Sequence, residues 1–236
     1  SSPEIGKRVT CALNQPIAKS GVPVYFEALG SERDGAFAQY CCVSADQLFD
    51  VSESPLTDIE IGAMPCAYGT ALNLLTRSQV NDGDRVLVTG ASGGVGLATV
   101  QLARQKGARV TAIAAAAKAD AVLTAGAQSV LDRDASLPKE DFTVVIDVVG
   151  GNQFGECLDA LCPGGRLATS GAIAGPMAEV DLRTLYLKDL TVFGCTYQSR
   201  EVFRALVSLI NTGSLRPLVS KVYPLNDIAQ AQTDFM

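Results

Sequence analysis

The chain has 236 residues, 47% of them hydrophobic, and a formal net charge of −6. An acidic balance without clustered Lys and Arg excludes a nucleic-acid or polyanion surface, and no apolar run reaches membrane-spanning length. Seven cysteines fit reduced thiols, and so a cytoplasmic setting, better than a disulfide scaffold; histidine and tryptophan are absent.

Residues 1–55 read as strands and loops. Candidate strands are 7–13, 35–43 (GAFAQYCCV) and 47–51. Between the first two lies a long connection, 14–34, with two prolines and a polar turn, Ser31-Glu32-Arg33-Asp34-Gly35. Adjacent Cys41 and Cys42 point to opposite faces of a strand and make no joint metal site. Residues 57–78 read as helix in two pieces, broken near Pro65. Asn81-Asp82-Gly83-Asp84 then turns the chain into its most informative stretch.

Val86-Leu87-Val88 suits a strand buried on both faces of a parallel sheet. Gly90-Ala91-Ser92-Gly93-Gly94-Val95-Gly96 is a glycine-dense turn. Val95, Ala98 and Leu102 continue it as an amphipathic helix, which stops at Lys106-Gly107. A second apolar run, Val110 to Ala117, follows. Amides at a helix N-terminus lack intrahelical partners and lie at the positive end of the helix dipole, so an anion satisfies both. Glycine lets the anion approach, and a glycine inside the first turn lets helix and strand pack closely. Read as GxGxxG, the positions are Ala91, Gly93 and Gly96, with alanine for the first glycine. Read as TGxxxGxG, they are Thr89, Gly90, Gly94 and Gly96. With a strand before, a helix after and another strand beyond, the pattern predicts dinucleotide binding.

Further on, a helix is expected over 118–125, ending at Gly126, and a short third strand over Ser129-Val130-Leu131. Residues 132–142 are too polar for a full helix. Phe142 to Val148 reads as a fourth strand. Phe154, Cys157, Leu158 and Leu161 mark a helix that stops at Pro163-Gly164-Gly165. Arg166 to Ser170 and Leu190 to Gly194 read as fifth and sixth strands. Val202, Phe203, Leu206 and Ile210 mark a last helix, with Ser199 as N-cap and Gly213 after its end. Such alternation predicts an α/β fold, a Rossmann-type doubly wound parallel sheet.

In NAD-binding units an acidic residue about 20 residues past the first glycine bonds the ribose 2′-OH. The corresponding window, Thr111 to Ala117, contains no acid, and Lys118 follows it. A cation there pairs with a 2′-phosphate, so the expected cofactor is NADPH.

The TGxxxGxG match resembles short-chain dehydrogenases, which need a Tyr-x-x-x-Lys pair downstream. Tyr186 and Tyr197 are each followed four places on by Leu190 and Glu201, so that pair is missing. The chain is more similar to the medium-chain dehydrogenase/reductase superfamily. The matching stretches are DGAFAQY at 34–40, PCAYGTALNLL at 65–75, NDGDRVLVTGASGGVGLATVQLA at 81–103, DVVGG at 147–151, PGGRLATSGAIAG at 163–175 and LYLKDLTVFGCT at 185–196. Within that superfamily it most resembles the quinone oxidoreductase (zeta-crystallin-like) branch. The resemblance implies a partial GroES-like barrel over 1–66, a nucleotide-binding domain over 67–215 and a return segment to the barrel over 216–236. Members carry most of the barrel ahead of this starting point, so the chain is expected to be a piece of a longer protein.

The resemblance also implies the site. Ser92, Gly93, Gly94 and Val95 should cover the pyrophosphate. Val149, Gly150, Gly171, Ala172 and Ile173 should border the nicotinamide and its ribose. Tyr68 and Thr70 are the hydroxyl donors expected nearest the reacting carbonyl, and Thr70 also stands as a cofactor contact. The implied activity is hydride transfer to a quinone, enone, enal or carbonyl. Zinc is not expected: Cys66, four residues before Thr70, matches one catalytic ligand position of the zinc enzymes, but a catalytic site needs three. A zinc alcohol dehydrogenase and a non-catalytic NADPH-binding accessory protein are the alternatives. A homodimer is expected through the apolar edge strand 190–194, with a small-molecule substrate as the other partner.

Overall fold

The computed structural model describes residues 5–17 and 25–235. It divides into two units: the described residues up to Cys66 together with those from Tyr197 onward, and Ala67 to Thr196.

The first unit opens with β1 (Val9–Cys11), β2 (Asn14–Pro16), β3 (Phe26–Ala28) and β4 (Leu48–Asp50). β1 pairs antiparallel with β4, and β2 with β3. Two small antiparallel sheets thus stand where a partial barrel was expected. The expected 14–34 connection contains β2 and β3; its residues 18–24 lie outside the described residues.

The candidate strand 35–43 does not form. Its residues run as bends, with Phe37 77% and Tyr40 89% exposed. Among the described residues no strand offers it a ladder, and a strand without one gains no backbone hydrogen bonds over water.

Arg8 ties β1 to the following loop through the Asp58 carboxylate at 2.5 Å and the carbonyls of Ser54 and Leu56 at 3.2 and 2.6 Å. A capping box between Thr57 and Glu60 starts α1 (Asp58–Gly62). α2 (Met64–Arg77) follows. The expected break near Pro65 falls at Ala63, which puts the proline in the first turn of α2, where its missing N–H leaves no bond unmade.

The second unit contains β5 (Arg85–Val88), α3 (Gly94–Gln105), β6 (Arg109–Ile113), α4 (Ala119–Thr124), β7 (Ser129–Leu131), β8 (Phe142–Asp147), α5 (Gln153–Asp159), β9 (Leu161–Thr169), α6 (Leu182–Leu187) and β10 (Thr191–Gly194). The six strands are all parallel, in the order β10-β9-β8-β5-β6-β7. This is the doubly wound sheet expected from the alternation. Val86, Leu87 and Val88 are fully buried. Leu87, Val145 and Leu167 lie in one apolar core with Cys157, Leu158 and Leu161. Burying each such side chain contributes roughly 1.5–3 kcal/mol.

One strand start differs from expectation. β9 begins at Leu161, not at Arg166. Phe142 pairs with Leu161 and Val144 with Arg166, so Cys162-Pro163-Gly164-Gly165 bulges out of register. Pro163 has no N–H to give the ladder, and Gly164 takes φ +74. The Pro-Gly-Gly run therefore marks a bulge within a strand rather than a gap before one.

The chain returns to the first unit with α7 (Arg200–Thr212) and α8 (Ile228–Phe235). Ser199 caps α7 by accepting from Val202 N at 3.3 Å, and Gly213 ends it at φ +60. Phe203 packs on Phe49 with ring centroids 5.1 Å apart, and Ser54 Oγ donates to Ile210 O at 2.7 Å. Those contacts group α7 with the first unit, whose second segment begins at Tyr197. Among the described residues no helix is long and apolar enough to cross a membrane.

Candidate cofactor site

The strand order reverses direction at β5, with β6 to one side and β8 to the other. In such sheets ligands bind beyond the carboxyl ends of the strands at that switch point. The turn leaving β5 lies there. Gly90 takes φ +57, and Gly93 N donates to Gly90 O at 3.0 Å. Gly93 is the extended N-cap of α3. The amides of the first turn, from Gly94 on, have no preceding turn to bond to.

The glycines of the turn differ in why they are glycine. A Cβ on Gly96 would lie 2.2 Å from Gly90 O and 2.6 Å from Ala91 Cα, so the close packing of helix on turn requires it. A Cβ on Gly94 would meet only Ala67 Cβ, at an ordinary 3.7 Å. Gly93 and Gly94 are exposed. Internal packing therefore leaves position 94 free to carry a side chain, and its absence keeps the helix amides open to an anion. The alanine at the first GxGxxG position is explained as well. Ala91 is fully buried, and its amide donates to Ile113 O at 3.1 Å, so its methyl packs into protein. The residues present fit a dinucleotide pyrophosphate.

Ser92, Gly93, Gly94 and Val95 thus sit together at the head of α3. Val149, Gly150, Gly171, Ala172 and Ile173 come together at the ends of β8 and β9. Gly150 takes φ +65, and a Cβ on it would lie 3.1 Å from Ala172 Cα; Ala174 N donates to Val149 O at 2.9 Å. A Cβ on Gly171 would lie 2.7 Å from Val148 O, so this glycine is required by the approach of two backbones. Ile173 is 89% exposed. The two groups meet at Gly90, where a Cβ would lie 3.0 Å from methyls of both Val148 and Val149.

Lys118 is exposed at the start of α4, one strand over, beyond β6. Its amide donates to Ala115 O at 2.8 Å. Thr70 is half-buried on α2, one turn after Ala67, the residue facing Gly94. Tyr68 is 3% exposed, and its hydroxyl donates to Gln101 Oε1 at 2.5 Å. Burial pushes its phenol up to about 12. Its hydroxyl thus engages helix α3.

Two residues that the sequence reading named only within motifs, with no site role, belong to this region. Thr89 and Asp147 are each 1% exposed and joined at 2.7 Å between Thr89 Oγ1 and Asp147 Oδ1. The signal was an acid closing an otherwise apolar strand, FTVVID. Among the described residues no three His, Cys, Asp or Glu side chains converge, and Cys66 is exposed. All seven cysteines are free.

Residues 94–212 match the zinc-binding dehydrogenase family. An acryloyl-coenzyme A reductase of Metallosphaera sedula is 33% identical over 204 residues, which is 84% of this chain and 60% of that protein. A quinone oxidoreductase of Sus scrofa is 31% identical over 224 residues, 87% of this chain and 67% of that one. A crystal structure from Sinorhizobium meliloti 1021, of a protein with a provisional alcohol dehydrogenase label, superposes with a TM-score of 0.91 at 42% identity, covering all of this chain and 68% of that one. The chain spans about 60% of the length of the reductase relative. On the family match, these identities and the parallel sheet with its glycine turn, the chain belongs to the zinc-binding dehydrogenase family of the medium-chain dehydrogenase/reductase superfamily.

Proposed function

We propose that the chain is the nucleotide-binding part of an NADPH-dependent oxidoreductase that reduces a quinone, an enone or enal, an enoyl thioester or a related carbonyl, without zinc. The observation that carries this reading is the head of α3, where Gly93 and Gly94 are exposed and internal packing leaves room for a side chain at Gly94. Two relatives bear the names acryloyl-coenzyme A reductase and quinone oxidoreductase. An acryloyl group and a quinone share a C=C conjugated to a carbonyl, which accepts hydride at carbon while charge builds on oxygen.

The bound dihydronicotinamide supplies the hydride. The chain's residues do the rest. Ser92, Gly93, Gly94 and Val95 cover the diphosphate, which the first-turn amides of Gly94 and Val95 hold. Lys118 pairs with the 2′-phosphate. Val149, Gly150, Gly171, Ala172 and Ile173 form the surface for the nicotinamide and its ribose. Thr70 is the hydroxyl offered to the nicotinamide amide or the substrate oxygen, while Tyr68 holds α2 to α3.

The test is NADPH consumption with a panel of quinones, enals and acryloyl thioesters, alongside metal analysis of the same sample. Turnover by zinc-free protein supports the reading. Binding without turnover would favour an accessory role, and stoichiometric zinc tied to activity would favour an alcohol dehydrogenase.

A further inference from the structure

Asp147 ends β8 and is 1% exposed. Its Oδ1 accepts from Thr89 Oγ1 at 2.7 Å, Val149 N at 3.1 Å and Gly150 N at 3.2 Å. Its Oδ2 accepts from Gly150 N at 3.2 Å and Thr169 Oγ1 at 3.3 Å. Thr89 Oγ1 accepts in turn from Val148 N at 3.1 Å. Every contact to the carboxyl is a donor, which suits an acceptor-only carboxylate. One side chain thus joins the ends of β5, β8 and β9.

Sheet cohesion alone does not call for such a group. The preceding β8 residues Val144, Val145 and Ile146 are fully buried and apolar, and apolar replacement of a buried charge is often neutral or stabilising. What a carboxylate adds is a fixed direction for the amides of Val149 and Gly150. Those amides set the turn that packs on Gly90 through two valines and on Ala172 through Gly150.

We infer that Asp147 is a positioning residue for the nicotinamide half of the dinucleotide, with Thr89 orienting its carboxylate. The inference rests on the nucleotide-binding reading above. Asp147 fixes the turn on which that half rests and has no part in holding the adenosine phosphates, which lie toward α3 and Lys118.

The experiment titrates 2′,5′-ADP, the adenosine half alone, and NADPH into wild type, Asp147→Asn, Thr89→Val and Thr89→Ser. Affinity for 2′,5′-ADP reads the phosphate turn, which Thr89 and Val148 adjoin at Gly90, and should change by less than the affinity for NADPH in Asp147→Asn and Thr89→Val. In Asp147→Asn and Thr89→Val the ratio of the two dissociation constants should shift against NADPH by on the order of tenfold or more, because Asn sets an NH2 donor against groups that themselves donate and Val removes the hydroxyl that orients the carboxylate. Thr89→Ser keeps the hydroxyl and should keep the wild-type ratio. A pair that only held the fold would weaken both ligands together, or neither, and either result overturns the inference. Should Asp147→Asn fail to fold, the contrast between Thr89→Val and Thr89→Ser decides the matter on the same ratio. Wild type binding neither ligand would overturn the nucleotide reading and this inference together. Wild type binding both, with no variant separating them, overturns this inference alone.

Discussion

Gly96 and Gly90 meet backbone to backbone: a Cβ on Gly96 would lie 2.2 Å from the Gly90 carbonyl oxygen. Helix α3 therefore sits on its own entry turn with no room for a methyl group. Gly96→Ala should destabilise the chain by about 1–3 kcal/mol, the usual cost of overpacking. Gly94→Ala has its nearest neighbour at 3.7 Å, so it should keep its melting temperature yet lose nucleotide affinity. Thermal melts and NADPH titrations of the two variants check this pairing. A Gly94→Ala protein that binds as tightly as wild type would remove the open helix head from the account.

Lys118 should decide which nucleotide is preferred. Thr111 to Ala117 contains no acid to hold a ribose 2′-OH, and Lys118 is exposed where the chain leaves β6. Lys118→Ala should weaken NADPH by roughly ten- to a hundredfold, the worth of one charge-assisted hydrogen bond, and leave NADH unchanged. Titration of both nucleotides into both proteins measures it. An equal preference before and after the substitution would take Lys118 out of the site.

The sheet and the glycine turn were legible because their physics is local. Val86 to Val88 needed only an apolar run, the head of α3 only its glycines, and α7 only Ser199 and Gly213 at its ends. The stretch 35–43 is apolar and aromatic enough for a strand, but a strand exists only with a neighbour, and composition does not say whether one is there. Pro163-Gly164-Gly165 read as a stop because those residues also break helices; only the pairing of Phe142 with Leu161 shows a bulge within β9. Asp147 was quoted within DVVGG without a role, because its meaning depends on Thr89, 58 residues away.

Tyr68 should prove structural. Tyr68→Phe removes the bond to Gln101 and should lower stability by about 1 kcal/mol while turnover stays unchanged. Its pH signature has a definite sign. The phenol ionises near 10.0 when unfolded and near about 12 when folded. Below 10.0 both states keep the proton and stability does not depend on it. As the pH rises from there the unfolded chain releases its proton first, so stability falls until the folded phenol ionises too. Urea midpoints across the alkaline range should drop more steeply in wild type than in Tyr68→Phe; parallel curves would contradict the buried placement.

The outer strand β10 should carry a symmetric dimer. It pairs with β9 on one side, and Val192 is 42% exposed. An uncharged edge strand left bare invites pairing. Val192→Lys should turn a dimer in sedimentation into a monomer without loss of parallel-sheet structure by circular dichroism. A monomeric wild type would contradict the expectation.

A crystal structure after soaking with NADPH tests the central claim most directly. The account predicts a diphosphate seated over Ser92 to Val95, on the first-turn amides of Gly94 and Val95, with the 2′-phosphate beside Lys118. A turn that stays empty at saturating nucleotide, or a nucleotide bound elsewhere, would contradict it.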